Sequence, residues 1–305
     1  MKKLLIVLIS CFIIYLIIGF YFLVMGEIKE SNGNSSGAIS DFSVFIKFYP
    51  DYARAYNLRG YSKRNLKDGN VANYWGAIDD YNKAIELDFN YALAYNNRGV
   101  CKYNLKDTSG ALIDWNKAIE LDSNLKYPWR NKGNLNEVLE NYSDAVDDYT
   151  KAIKLDSNYA QSYNGRGWSK SNLKDYSGAI DDYNKAIELD FNYALAYNNR
   201  GVSKYNLKDT SGALIDWNKA IELDSNLKYP WRNKGNLNYD LKNYLDAIDD
   251  YTKAIELDSN YALAYNNRGI NKDSLGNLNG ACEDWKIAVS LGDEEAKKWV
   301  ADKCK

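Results

Sequence analysis

Residues 95–122 read YNNRGVCKYNLKDTSGALIDWNKAIELD, and residues 197–224 read YNNRGVSKYNLKDTSGALIDWNKAIELD. Cys101 against Ser203 is the one difference, and it remains the one difference when the match is extended to Gly76–Asn136 against Gly178–Asn238. The offset is 102 residues, three times 34, and 34 is also the interval between Gly99, Gly133, Gly167, Gly201, Gly235 and Gly269. Gly60 stands 39 before Gly99. A fixed period of this size marks a supersecondary unit stacked on copies of itself, so the duplicated text is a block of three units. Because Ser203 fills the slot of Cys101, the architecture requires no thiol there, and Cys101 reads as a small helix-packing residue.

The units begin at Ala53, Ala92, Lys126, Ala160, Ala194, Lys228 and Ala262. In the last six an aromatic residue precedes the glycine by four (Tyr95, Trp129, Tyr163, Tyr197, Trp231, Tyr265) and an alanine follows it by twelve (Ala111, Ala145, Ala179, Ala213, Ala247, Ala281). A second aromatic and a second alanine come next at helical spacing, as in Trp115 and Ala118. Glycine within a helix costs about 1 kcal/mol relative to alanine. Its repetition therefore predicts close approach of facing helices, with the aromatics filling the gaps between them. One such hairpin cannot bury its own apolar face; stacking buries it.

This pattern closely resembles the tetratricopeptide repeat, a helix-turn-helix of 34 residues. The resemblance implies an all-α, right-handed α-solenoid over residues 38–305: a half repeat at 38–52, seven repeats at 53–295 and a capping helix at 296–304. Two departures are local. The usual apolar residue before the glycine is basic (Arg59, Arg98, Lys132, Arg166, Arg200, Lys234, Arg268), and the usual proline after the second helix survives only as Pro50. An aspartate recurs on each second helix (Asp80, Asp114, Asp148, Asp182, Asp216, Asp250, Asp284), so a structural acid-base ladder between adjacent helices is expected.

The resemblance further implies that the first helices line a concave groove receiving an extended peptide or a partner helix. On those slots the chain places Asn96, Asn97, Tyr103, Arg130, Asn131, Asn134, Asn164, Trp168, Asn198, Asn199, Tyr205, Arg232, Asn233, Asn236, Asn266 and Asn267. Amides and tyrosines suit recognition rather than reaction; a merely solvated, Asn-rich helix surface is the alternative. A family variant clamps a C-terminal carboxylate, and Arg232, Asn236, Asn267 and Lys297 fall on four of its five slots. Ala301 occupies the fifth, and in the earlier copy Gly165 and Leu195 break the set that Arg130 and Asn134 begin.

Composition narrows the function. Lys plus Arg (39) and Asp plus Glu (41) nearly balance, so no net field attracts nucleic acid. With no His, the commonest general base and the commonest transition-metal ligand are both missing, and no phosphate loop or nucleophile-base pair appears. No catalytic residue, metal, cofactor or small-molecule substrate is expected. The expected function is a non-enzymatic protein-protein interaction scaffold; a self-associating structural component of the cell envelope is the alternative.

At the amino terminus, Leu4–Met25 carries no charge and would measure about 33 Å as a helix, enough for a hydrocarbon core of about 30 Å. The reading is a single transmembrane helix, a signal-anchor in residues 1–25, followed by a flexible linker at 26–37 rich in Gly, Ser and Asn. Cleaved alternatives are weaker. No small-x-small site directly follows Met25, and the lipobox-like Leu8-Ile9-Ser10-Cys11 precedes a further apolar run rather than a polar tether. Lys2 and Lys3 outweigh the other flank, so the N-terminus is expected in the cytoplasm and the array outside it, in a bacterial periplasm or at a cell surface.

Cys282 and Cys304 lie eleven residues to either side of Asp293, next to Gly292. A helical hairpin turning there sets them opposite each other, and an oxidising compartment would permit a disulfide. The first unit also carries DGNVANYW from Asp68 where its counterpart reads DYS from Asp175, a longer turn that brings Trp75 outward.

Overall fold

The computed structural model describes residues 2–67 and 70–304, with side chains from residue 17 onward. The described residues form helices and no strand: α1 (Lys2–Ser31), α2 (Ser35–Phe48), α3 (Ala53–Arg64), α4 (Val71–Leu87), α5 (Ala92–Asn104), α6 (Thr108–Leu121), α7 (Lys126–Val138), α8 (Tyr142–Leu155), α9 (Ala160–Asn172), α10 (Tyr176–Leu189), α11 (Ala194–Asn206), α12 (Thr210–Leu223), α13 (Lys228–Asp240), α14 (Tyr244–Leu257), α15 (Ala262–Ser274), α16 (Leu278–Ser290) and α17 (Glu294–Lys303). They fall into two compact units, residues 1–138 with 154–156, and residues 139–153 with 157–305. Each is a solenoid of helical hairpins.

The hairpins close as the glycines require. A Cβ on Gly99 would lie 2.6 Å from Trp115 Nε1, and the same substitution at Gly201 and Gly269 meets Trp217 and Trp285 at 2.6 Å. Each of these indoles also donates to a first-helix carbonyl, at 3.3 Å to Asn96, 3.2 Å to Asn198 and 3.2 Å to Asn266. The ring is thus pinned where only a hydrogen fits. The alanines follow the same logic, with Ala111, Ala118, Ala213 and Ala220 fully buried.

The acid-base ladder is present. Arg98 grips Asp114 through Nε at 2.9 Å and Nη2 at 2.6 Å, and Lys102 adds 2.9 Å. The same fork joins Arg59 to Asp80, Arg166 to Asp182, Arg200 to Asp216 and Arg268 to Asp284. The remaining guanidinium nitrogen reaches back to the preceding second helix, to Asn82 at 2.8 Å from Arg98 and to Asn184 at 2.7 Å from Arg200. One side chain therefore ties three helices. Lys234 cannot fork; it lies 3.6 Å from Asp250, whose other oxygen accepts from Asn238 at 2.7 Å.

The amino-terminal boundaries differ from expectation. Residues 26–31 continue α1 without a break, and a turn at Asn32–Asn34 leads straight into α2, so no flexible linker separates them. Residues 19–52 form a further repeat. Gly26 stands 34 before Gly60, and a Cβ there would meet Phe42 at 2.5 Å. Lys29 pairs with Asp41 at 2.7 Å, as Lys102 pairs with Asp114. Gly33 has φ +76° in the turn slot that Lys106 occupies at +69°. The half repeat of residues 38–52 is thus the second half of a complete one, and the last part of the apolar run serves as its first helix. The apolarity of residues 19–25 reads as membrane because core-facing and lipid-facing residues have the same chemistry. Among the described residues no helix is long and apolar enough to cross a membrane. The side chains of residues 4–16 of the expected span lie outside the described residues.

At the other end Cys282 and Cys304 form a disulfide, with Cα atoms 5.6 Å apart, that holds α17 to α16. Trp285 and Trp299 stack beside it at 5.7 Å. The extra residues of the first inserted turn lengthen α4, and Trp75 on it is 59% exposed. Cys101 is buried against Ala77, Ile78 and Tyr81 of α4. Burial pushes its thiol up to about 12.

Candidate functional site

Which surface is open follows from which helices touch. In the second unit the first helices approach one another in series, α9 with α11, α11 with α13 and α13 with α15, while their second helices make no such series of approaches. In the first unit α3, α5 and α7 do the same. First helices therefore converge on the inner side of each unit, and their outward positions line it.

Most of the asparagines expected there are not free to meet a ligand. Asn96, Asn97, Asn131, Asn198, Asn199, Asn233 and Asn266 are buried. They bond to each other across repeats. In the first unit Asn131 donates to Asn96 at 3.0 Å, Asn96 to Asn97 at 3.2 Å, and Asn97 to Asn57 at 3.0 Å. In the second, Asn233 donates to Asn198 at 3.0 Å, Asn198 to Asn199 at 3.0 Å, and Asn199 to Asn164 at 3.2 Å. Along each series an amide such as Asn96 or Asn198 donates one N–H and accepts at its oxygen, and these bonds fix the spacing of neighbouring first helices. Asn266 is outside this series and donates to Asp293 instead, at 3.4 Å.

The clamp-like residues are engaged as well. Arg232 donates to Asn233 at 2.8 Å, and Arg130 to Asn131 at 2.9 Å. Asn236 accepts from the Tyr251 hydroxyl at 2.7 Å and from Asn267 at 3.2 Å. Lys297 is exposed and pairs with Glu294 one turn away on its own helix. These contacts tie the clamp-like side chains to their neighbours within the array.

What remains accessible lies one and four residues after the repeat glycine. Trp168 is 40% exposed and Tyr239 is 41% exposed. Val202, Tyr205, Asn236 and Ile270 are half-buried on the same series of helices, as are Val100 and Tyr103 in the first unit, where Asn134 is exposed. Tyr205 bonds Asp240 on the next first helix and rests against Trp217 at 5.9 Å. Burial, with the Asp240 carboxylate beside it, pushes the Tyr205 hydroxyl up to about 12, so it stays a neutral donor. Val100, Val202, Tyr239 and Ile270 were missed by sequence reasoning, although their register after the glycine singles them out. The result is an apolar and aromatic strip laid over a buried amide ladder. Among the described residues no group of three or more Cys, Asp or Glu could hold a metal ion.

Comparison with known proteins agrees with the repeat fold. Residues 229–261 match the family described as Tetratricopeptide repeat, and residues 172–208 the family described as TPR repeat. No curated protein matches the sequence. Among solved structures, the fold is similar to the APC/C hetero-tetramer Cut9-Hcn1 with TM-score 0.71 at 16% identity, over 93% of this chain and 55% of that one. A tetratricopeptide repeat protein from Parabacteroides merdae gives 0.65 at 16% identity, over 83% of this chain and 99% of that one. Yeast Tom70 gives 0.56 at 20% identity, over 88% and 57%. The chain thus spans little more than half of the Cut9-Hcn1 and Tom70 chains, and identities this low speak for the fold alone.

Proposed function

Starting from a chain built of tetratricopeptide repeats, we propose a non-enzymatic scaffold that binds a protein or peptide partner along the inner face of its first helices. The observation that carries this reading is the accessible strip of Trp168, Val202, Tyr205 and Tyr239 above a buried, hydrogen-bonded amide ladder. Aromatic residues supply large contact area with few rotors to freeze, and a rigid floor lowers the cost of association. The test is a photo-crosslinking amino acid placed at Trp168, Val202 or Tyr239 in the native cell. Capture of the same protein at all three, and not at Ile113 or Ile215 on second helices, is expected. Equal capture on both faces would sink the groove reading.

The proposal includes a membrane tether with the array outside the cytoplasm. Two observations support it: the uncharged run behind Lys2 and Lys3, and the disulfide, which belongs to an oxidising compartment. With residues 19–31 folded into the first repeat, the segment left for lipid is 4–18, about 22 Å as a helix. It therefore calls for local bilayer thinning or for Lys2 and Lys3 to reach the interface. Fractionation decides this. Recovery in the carbonate-washed membrane pellet, with the array digested by protease added from outside, is expected; recovery of intact protein in the soluble fraction removes the tether.

A further inference from the structure

In later repeats one face of the first helix turns toward the second helix before it. The innermost positions on that face are Ala55 and Ser62 in α3, Ala94 and Cys101 in α5, and Ala196 and Ser203 in α11, all 0% exposed. Their small size lets the preceding helix come close; Cys101, for example, sits against Ala77 and Tyr81. The corresponding positions in α1, 34 before Ala55 and Ser62, are Tyr21 and Ile28. Tyr21 is 57% exposed and Ile28 is 46%, and on the same face Ile17 is 63% exposed and Val24 is 51%. No described helix covers this docking face.

The residues on it say what kind of neighbour fits. Tyr21, Val24 and Ile28 are too large for the close approach that alanine and serine allow in later repeats, so the face suits a helix held at a wider separation. Ile17, Tyr21, Val24 and Ile28 alternate in steps of four and three, the spacing of a two-stranded coiled-coil seam. The neighbouring charges are consumed within the chain: Glu27 by Arg54 at 2.6 Å, Lys29 by Asp41 at 2.7 Å, and Glu30 by Asn65 at 2.9 Å. The carboxyl-terminal helix of another copy is a poor cover for an apolar seam, because α17 exposes Glu294, Glu295, Lys297 and Lys298. With Phe20 added, five side chains of roughly 200 Å² each, about half exposed, offer on the order of 500 Å² per copy. A pair then buries about 1,000 Å², at the lower limit of a specific interface and in keeping with a dimer whose population depends on concentration.

We propose that two copies of this chain pair head to head through α1, with Ile17, Tyr21, Val24 and Ile28 of each copy forming a shared two-fold seam. This pairing does not depend on the tether, since Tyr21, Val24 and Ile28 of the seam lie on the part of α1 that is packed into the first repeat, with Ile17 just before it.

The test uses the full chain with Cys11→Ser and Cys101→Ser, keeping the Cys282–Cys304 bond. Cysteine is introduced singly as Ile17→Cys, Tyr21→Cys, Val24→Cys or Ile28→Cys, with Ile18→Cys and Lys47→Cys as exposed positions off the seam. Mild oxidation in detergent should give covalent dimer at the four seam positions at least fivefold above the two controls. In parallel, Val24→Lys should raise the concentration for half-dimerisation at least tenfold in sedimentation while leaving the helical circular dichroism unchanged, because the side chain faces away from α2. Equal crosslinking at all six positions, a monomer at every concentration, or a dimer indifferent to Val24→Lys overturns the proposal. A monomer whose seam cysteines are shielded from a water-soluble thiol reagent only by lipid vesicles overturns it too, and assigns the face to the bilayer.

Discussion

Gly201 has no room for a methyl group, and that governs what a helix-favouring substitution does there. Alanine should gain about 1 kcal/mol of helix propensity, yet its Cβ would lie 2.6 Å from an indole nitrogen held by Asn198. Overpacking of this kind costs about 1–3 kcal/mol, so Gly201→Ala should lower the urea midpoint; a raised midpoint would mean that the indole moves freely. Two aspartates in equivalent slots should respond oppositely to neutralisation. Asp216 is 1% exposed and held by both Arg200 and Lys204. Asp216→Asn strands those cations and should cost about 3 kcal/mol. At Asp250 burial outweighs the distant Lys234 and raises the carboxyl above its ordinary range. Its folded pKa is the higher one, so its favourable contribution exists only below the unfolded value and is lost as pH rises through the folded one. At neutral pH the charge therefore works against folding, and Asp250→Asn should be neutral or slightly stabilising in the same titration. Equal losses at both sites would contradict the geometry. The acid-base slots were legible in the sequence because both partners recur at a fixed spacing. Which pair would fork and which would fall short depended on side-chain reach, arginine against lysine.

The turns between first and second helices carry a cost that the sequence conceals. Lys106, Lys174, Lys208 and Lys242 adopt φ of 69°, 65°, 67° and 61°, where Gly33 and Gly276 stand in other repeats. A non-glycine residue in that conformation loses roughly 1 kcal/mol, so Lys208→Gly should raise the melting temperature; a fall would point to an unrecognised role for the lysine side chain. At the carboxyl end the disulfide spans 22 residues and clamps a helix whose buried anchor is Ala296. Such a loop closure is worth about 3 kcal/mol. Cys304→Ser should therefore remove amide-exchange protection across α17 and leave α9–α14 as protected as before; loss of protection throughout would show that the cap supports far more than its own helix. The hairpin that pairs these cysteines could be read from Gly292 and Asp293, since both partners lie on adjacent helices of known pitch. A lysine in a left-handed turn gave no such sign, because nothing in its chemistry marks it for that conformation.

At the scale of the whole molecule, a strict repeat makes repeat number a stability variable. Deleting residues 137–238 joins Asn136 to Tyr239 in register, because the segments preceding each junction are identical but for Cys101 and Ser203. The shortened chain should keep its helicity per residue and unfold at lower denaturant, with a smaller m-value as less surface is exposed; an unfolded product would mean that the repeats are not interchangeable. By itself the sequence determined the period, the glycine-aromatic-alanine packing and the pairing of acid with base. All are set by spacing within one hairpin or between neighbours in a strict repeat. The tertiary structure decided two other things. It turned the groove asparagines into a buried ladder joining residues 35 and 40 apart, and it made the end of an apolar run the first helix of a repeat. In both cases the deciding quantity is which side of a helix its neighbours cover, and an amide or an isoleucine carries the same letter whether it meets solvent, lipid or another helix.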